Sequence, residues 1–509
     1  MSNQQQNNKR IAKNTMMLYI RMFFVMAVAL YTSRIMLKAL GIEDFGIYNV
    51  VGGVVAMMGV LNGAMAVSTQ RYLTYELGKG NFIRLKQVFS TCFLIYLILS
   101  VILLVFAEIV GLWFLNNKLT IPENRIYAAN WVYQFSLLSC INTLLASPYK
   151  AVIIAHEKMN IYAYIGIIET ILKLVIVYLL LISSFDSLIL YGFLVLMVSV
   201  VVTIIYRIFC IRNYAESKFS FYWEKPLFKQ LLSYSGWNLF GSLSGLVKGQ
   251  GLNILLNMFF NPAINASRGI AYQINGAITQ FFTNFYTAVR PQITKYYAQN
   301  DLDNMFKLVF RSSKFSFYLI LLISLPILIE TPYVINLWLG QLPEYTVLFT
   351  RLIVVITAID AMANPLMTTA HATGNIKLYQ SIVGTLIILN VPISYALLNY
   401  GNFSPTIVFV VSLCLSVIAL FARLWVVKKL VDFPVLRYIK DVLSPSVFIA
   451  LLSVIVPIVV YRGMLVSFFS FCLVSVICVI SSLLFIYLFG LTKGEKSFLT
   501  QSILNKIKR

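Results

Sequence analysis

The sequence predicts an all-α integral membrane protein of about 14 transmembrane helices, built as two six-helix lobes around a central cleft with two further C-terminal helices. Three observations carry that reading. Apolar runs of 18 or more residues recur along the 509-residue chain, each long enough at about 1.5 Å per residue to span a bilayer. Hydrophobic residues make up 60% and charged residues 11% of the chain, with a mean hydropathy of +0.83, whereas soluble domains carry about 25% charge. Finally, one pattern occurs twice. "ASPYKAVIIAHEKMNIYAY" (Ala146 to Tyr164) and "ANPLMTTAHATGNIKLYQS" (Ala363 to Ser381) share Ala146/Ala363, Pro148/Pro365, Ala155/Ala372 and Tyr162/Tyr379 at one constant offset. The alternating segments of about ten residues that mark a transmembrane β-barrel do not appear.

The apolar runs place spans at 14–40, 46–70, 88–115, 126–149, 160–182, 187–207, 230–258, 263–289, 308–330, 346–370, 376–398, 405–423, 441–461 and 465–489. The first is preceded by the polar, basic "MSNQQQNNKRIAKN". It is long and lacks an A-x-A cleavage site, so it reads as a retained span and not a signal peptide. With the N-terminus inside, thirty of the forty Lys and Arg fall in cytoplasmic segments, counting Arg207, Arg311, Lys314, Lys377 and Arg423 at the inner edges of spans, and only Lys118, Arg125 and Arg462 fall outside. Both termini are therefore expected in the cytoplasm. The net charge of +22 is then a topological signal, and a nucleic-acid partner is not needed to explain it.

A second echo fixes the repeat length. "TQRYLTYELGKGNFIRLKQVF" after span 2 has its counterpart in "VRPQITKYYAQNDLDNMFKLVF" after span 8. Each unit thus has six spans, and an even number keeps both copies in the same orientation, as parallel repeats. The expected domains are an N-lobe at 1–211, a basic cytoplasmic linker at 212–229 ("RNYAESKFSFYWEKPLFK"), a C-lobe at 230–430, and an appended pair of spans with a basic tail at 431–509. The duplicated stretches read as equivalent hinges of two lobes that rock against each other.

The segment from Leu37 to Asn81 reads "LKALGIEDFGIYNVVGGVVAMMGVLNGAMAVSTQRYLTYELGKGN". Its "LG…DFGIY" turn, glycine-rich second span and Arg-containing exit into "GKGN" resemble bacterial polysaccharide (O-antigen and capsule) flippases of the multidrug/oligosaccharidyl-lipid/polysaccharide exporter superfamily. "NASRGIAYQINGAITQFFTNF" is similar to the corresponding eighth span. The resemblance implies translocation of an undecaprenyl-pyrophosphate-linked oligosaccharide from the cytoplasmic to the outer leaflet of the bacterial inner membrane. It implies alternating access, and a setting beside other polysaccharide-assembly proteins of that membrane in lipopolysaccharide or capsule biosynthesis.

Such a substrate needs buried cations for its phosphates, and amides, hydroxyls and aromatics for its sugars. Intramembrane charge costs about 2.5–3.5 kcal/mol on insertion scales and so demands a reason. Lys248 stands deep in span 7, within "GSLSGLVKGQGLN", where Gly241, Gly245 and Gly249 allow close helix approach or local unwinding. Arg34 and Lys38 are four apart and share a face of span 1, and Arg268 lies a few residues into span 8. If spans 1, 7 and 8 line the cleft, as the resemblance implies, Lys248, Arg34, Lys38 and Arg268 form the pyrophosphate site. The plainer reading of the last three is snorkelling to the headgroups. Arg21 and Arg351 can reach the two surfaces, and Lys173, four residues after Glu169, reads as a helical ion pair.

Asn253, Asn257 and Asn275 are the candidate sugar ligands, with interhelical hydrogen bonding as the alternative role. Three carboxylates lie well inside spans: Glu108, Glu169 and Asp360. Asp360 is the candidate for ion coupling. It keeps open a cation-coupled multidrug or toxic-compound exporter of the same fold.

An enzyme is not expected. The longest outer connection, from Thr331 to Tyr345, carries no Lys, Arg or His, and no P-loop or G-x-S-x-G lies in an accessible segment. No cofactor or metal is expected either. His156 and His371 sit at the inner ends of spans 4 and 10 without ligand neighbours. All six cysteines but Cys210, which is placed in a cytoplasmic loop, lie in apolar spans, so disulfides are not expected.

Overall fold

The computed structural model describes residues 3–56, 59–119, 121–465, 467–492 and 494–496. Among them are eighteen α-helices and no strand. The first nine are α1 (Asn3–Ala56), α2 (Gly59–Lys79), α3 (Phe82–Phe106), α4 (Leu112–Lys118), α5 (Ile126–Ala155), α6 (Met159–Ile182), α7 (Ser187–Asn213), α8 (Lys225–Phe259) and α9 (Pro262–Ala298). The remainder are α10 (Leu302–Ile329), α11 (Thr331–Leu339), α12 (Thr346–Thr373), α13 (Lys377–Ile388), α14 (Asn390–Gly401), α15 (Ile407–Val431), α16 (Val435–Tyr438), α17 (Ser444–Arg462) and α18 (Phe468–Phe485).

Eleven helical segments among the described residues are long and apolar enough to cross a membrane. The chain is a multi-pass integral membrane protein. These eleven coincide with eleven of the fourteen expected spans; the second, seventh and eighth are the exceptions. The seventh and eighth do form helices, α8 of 35 residues and α9 of 37. What they lack is apolarity, because Gly, Ser, Asn and Gln interrupt both sequences. A polar helix at membrane depth must face protein or water, since lipid cannot satisfy it. The expected second span is divided between the end of α1 and α2. Within α1 the predicted turn is a single break at Gly41 (φ 76°, ψ 171°), a backbone state that glycine adopts without a Cβ penalty.

The chain forms two compact units. The first comprises Met1–Leu243 with Thr294–Asp301, and the second Ser244–Ile293 with Leu302–Arg509.

In the first unit, Ile47, Val51, Val132, Tyr133, Leu137 and Leu188 join α1, α5 and α7 in one core. Gly192 lets α7 approach α5, since a Cβ there would lie 3.3 Å from the Phe135 ring. Arg125, at the head of α5, ties these three helices together. It pairs with Asp44, the acid of "DFGIY", and at 2.6 Å with Asp186 at the head of α7. Arg125→Ala leaves two half-buried carboxylates unpaired and is expected to cost about 2–3 kcal/mol, read as a lowered unfolding temperature in detergent. Cys210 corrects its expected place: α7 runs on to Asn213, so the thiol is buried in that helix and donates to the Tyr149 carbonyl at 3.4 Å.

At the turn between α5 and α6 of the same unit, the Glu157 carboxylate is wholly buried between Arg10, at 2.8 Å, and Lys295. Asn14 donates to the Glu157 carbonyl at 3.0 Å. Glu157 has a left-handed backbone (φ 59°), uncommon for a residue with a Cβ.

The duplicated stretches prove to be one motif used in each unit. Pro148 lies buried inside α5 and Pro365 inside α12, each followed by a tight turn. Tyr162 and Tyr379 then stand in the first turn of the next helix, α6 or α13.

The second unit packs around Leu252, Leu256, Phe349, Ile353 and Phe409, and around Ile278, Phe282, Ile320 and Val354. Around Gly245 and Gly249 there is open space, and α8 is unbroken there. Close approach occurs instead at Gly251, where a Cβ would meet Val391 at 2.7 Å.

The C-terminal end of the last span is held to α10 through Glu495. It pairs with Arg311 at 3.0 Å and Lys314 at 3.4 Å. Burial pushes the Glu495 carboxyl up, but the Thr492 N–H it accepts and the nearby Lys314 and Arg311 outweigh this and hold it below its ordinary 4.5. A depressed carboxylate stabilises fully above its unfolded pKa and loses that contribution as pH falls through the native value. The stability gap between wild type and Glu495→Gln, followed by thermal unfolding, is expected to be constant near neutrality and to shrink below about pH 4.5.

Candidate functional site

Within the second unit, four helices place ionisable groups together. Asp360 stands at the middle of α12. Arg423 of α15 contacts it, Nη1 to Oδ1 at 3.5 Å, and donates from Nε to the Tyr379 hydroxyl of α13 at 3.1 Å. The Arg423 side chain is 12% exposed. A guanidinium so placed requires a counter-charge, and Asp360 supplies it. Lys248, half-buried on α8, lies within electrostatic reach of both. No ion pair or hydrogen bond holds its ammonium among the described residues. Two cations thus surround one carboxylate, and Lys248 is the surplus charge.

Arg268 joins this region from α9. Its Nη2 donates to the Gly249 carbonyl at 2.6 Å, next in sequence to Lys248, and its Nη1 to the Asn253 Oδ1 at 3.2 Å. The guanidinium lies over the Tyr272 ring, 4.4 Å from its centroid. Of the candidate sugar ligands, Asn253 therefore spends its oxygen on Arg268. Asn275 spends its own on the Thr357 hydroxyl at 2.6 Å, and Asn257 is exposed.

Lys38 is exposed on α1, in the first unit. The side chain of Arg34 lies outside the described residues. The second unit thus brings together Lys248 and Arg268 of the four expected cations and adds Arg423. The span expected at 405–423 ends on Arg423, at its inner edge. The helix continues to Val431, which places it eight residues inside.

The other charged candidates are held structurally. Arg351 donates to the Leu328 and Ile329 carbonyls at 3.0 and 3.4 Å and caps α10. Lys173 pairs with Glu169 at 2.6 Å, and Glu108 accepts from Gln134 at 3.1 Å. His156 contacts Glu216 at 2.6 Å and stacks on Tyr214, with ring centroids 4.1 Å apart.

No protein-family model matches the sequence, and no curated protein does. Solved structures do match in fold. A multidrug resistance MATE family transporter of the MOP superfamily, in an outward-facing conformation, aligns with a TM-score of 0.71 at 14% identity, over 83% of this chain and 97% of that one. A mutant MATE transporter of Vibrio cholerae aligns with a TM-score of 0.65 at 16% identity, over 84% and 98%. A MOP superfamily transporter from Pyrococcus furiosus, whose binding pocket is described as of reverse polarity and suggestive of a different function, aligns at 0.64 and 14%, over 82% and 96%. The chain has the MATE-like fold of MOP superfamily transporters. At these identities the likeness extends to the fold alone.

Proposed function

We propose that the protein is a flippase that moves an undecaprenyl-pyrophosphate-linked oligosaccharide from the cytoplasmic to the outer leaflet by alternating access. The observation that carries this reading is the charge balance at membrane depth in the second unit. Lys248 and Arg423 outnumber Asp360, and Arg268 adds a third cation on α9. A site with surplus positive charge suits an anionic head group. Outward movement of negative charge also gains about 2.3 kcal/mol per charge per 100 mV of inside-negative potential. Lys38 and Arg34 of α1 are proposed to join the same anion in the course of the cycle. Partners in polysaccharide assembly follow from the same reading.

A cation-coupled drug exporter is the competing reading, supported by the multidrug transporters that share the fold. It needs a carboxylate free to take H⁺ or Na⁺, whereas Asp360 is already engaged by Arg423. Asp360→Asn separates the two. The amide keeps an oxygen for Arg423, so the flippase is expected to retain most of its ability to clear cytoplasmic lipid-linked saccharide in cells lacking the wild-type protein. A cation-coupled exporter would lose efflux altogether. The test measures lipid-linked saccharide on the cytoplasmic leaflet beside drug and sodium efflux; loss of efflux in Asp360→Asn, with no saccharide accumulation on deletion, overturns the flippase reading.

A further inference from the structure

Between Arg268 and Arg290, α9 carries no charged residue. One face of this stretch buries Ala271, Ile278, Phe282 and Val289. The opposite face exposes Gly269, Gln273, Gly276, Gln280 and Thr283 at spacings of four and three, which keeps them on one side of the helix. Tyr272, at 37%, is the one large hydrophobic residue exposed on α9 among those described. A span facing lipid looks different: α6 exposes Tyr164, Ile168, Ile171, Val175 and Leu179. The α9 face therefore has the composition of a water-facing surface inside a membrane protein. From Gly269 to Thr283 it extends about 21 Å at 1.5 Å per residue, most of the roughly 30 Å hydrocarbon core.

We propose that this uncharged face of α9 is the track that holds the saccharide part of the substrate during translocation. Carboxamides and a hydroxyl donate and accept hydrogen bonds in the manner that polyhydroxylated ligands require, and Gly269 and Gly276 let a sugar ring approach the backbone. The charge pattern matches the same ligand. A neutral body meets the uncharged face, and an anionic end meets a cation, Arg268 at one end of the stretch or Arg290 at the other. The inference rests on the flippase reading and adds to it the residues that contact sugar.

The test uses the full-length protein in nanodiscs and native mass spectrometry. The two probes are undecaprenyl pyrophosphate without sugar and the lipid-linked saccharide extracted from cells that accumulate it. Gln273→Leu/Gln280→Leu is expected to bind the saccharide-bearing lipid at least about tenfold more weakly and undecaprenyl pyrophosphate unchanged. The milder Gln273→Asn/Gln280→Asn, which keeps both amides, is expected to recover part of the loss. Equal weakening for both lipids, or no weakening for either, overturns the track while leaving the flippase reading in place. Failure of the unaltered protein to bind either lipid overturns both.

Discussion

Lys248→Ala is expected to leave the protein folded and abundant in the membrane, yet to clear lipid-linked saccharide on the order of 10–100-fold more slowly than wild type. Folding survives because no ion pair among the described residues depends on the ammonium; the Arg423–Asp360 contact closes without it. Transport suffers because a charge-assisted hydrogen bond to phosphate is worth about 1.5–3 kcal/mol, and about 1.4 kcal/mol is tenfold in affinity. Lys248→Arg should restore most of the rate, since the positive charge is what the site requires. Lys248→Glu should be worse than alanine, because it makes the carboxylates outnumber Arg423. Initial rates of clearance, scaled to protein in the membrane, check all three. A fully active Lys248→Ala would remove the residue from the site.

Glu157→Ala is expected to produce the largest loss of stability, about 3 kcal/mol. Removing one partner of a buried ion pair costs about 3–5 kcal/mol, and the lower end applies because Arg10 is 45% exposed. The variant also releases Lys295, whose segment Thr294–Asp301 packs in the first unit. Glu157→Gly should be less damaging than Glu157→Ala by about 0.5–1 kcal/mol, because glycine relieves the left-handed backbone at this position. Thermal unfolding of the two variants in one detergent checks the order. If both match wild type, the cluster contributes nothing to holding α1, the α5–α6 turn and the Lys295 segment together.

What was legible in the sequence was what local pattern encodes. Lys173 four residues after Glu169 announced its own pair. The repeated Pro148 and Pro365 announced the shared helix–turn–helix. The apolar runs gave eleven spans directly and also located the helices α8 and α9, though these are too polar to count as lipid-facing spans. The rest depends on contacts that leave no local period. Arg423 and Asp360 are 63 residues apart, and Arg10 meets Glu157 across most of the first unit. Asp44 in "DFGIY" reads as part of a turn; its partner Arg125 is one of only three cations expected outside, and that isolation is the signal that it needs an acid. The candidate amides were chosen as Asn253, Asn257 and Asn275, but folding turns the first and third toward other helices. Gln273, Gln280, Gly269 and Gly276 of α9 face out instead, a distinction that only burial reveals.

The measurement that tests the central claim most directly is leaflet exchange in purified proteoliposomes. Labelled undecaprenyl-pyrophosphate-linked saccharide, placed in one leaflet, is followed as it becomes accessible in the other. Wild type is expected to exchange the lipid, with the rate cut on the order of 10–100-fold by Lys248→Ala and little changed by Asp360→Asn. No exchange by the wild type, together with proton- or sodium-driven drug transport lost in Asp360→Asn, would contradict it.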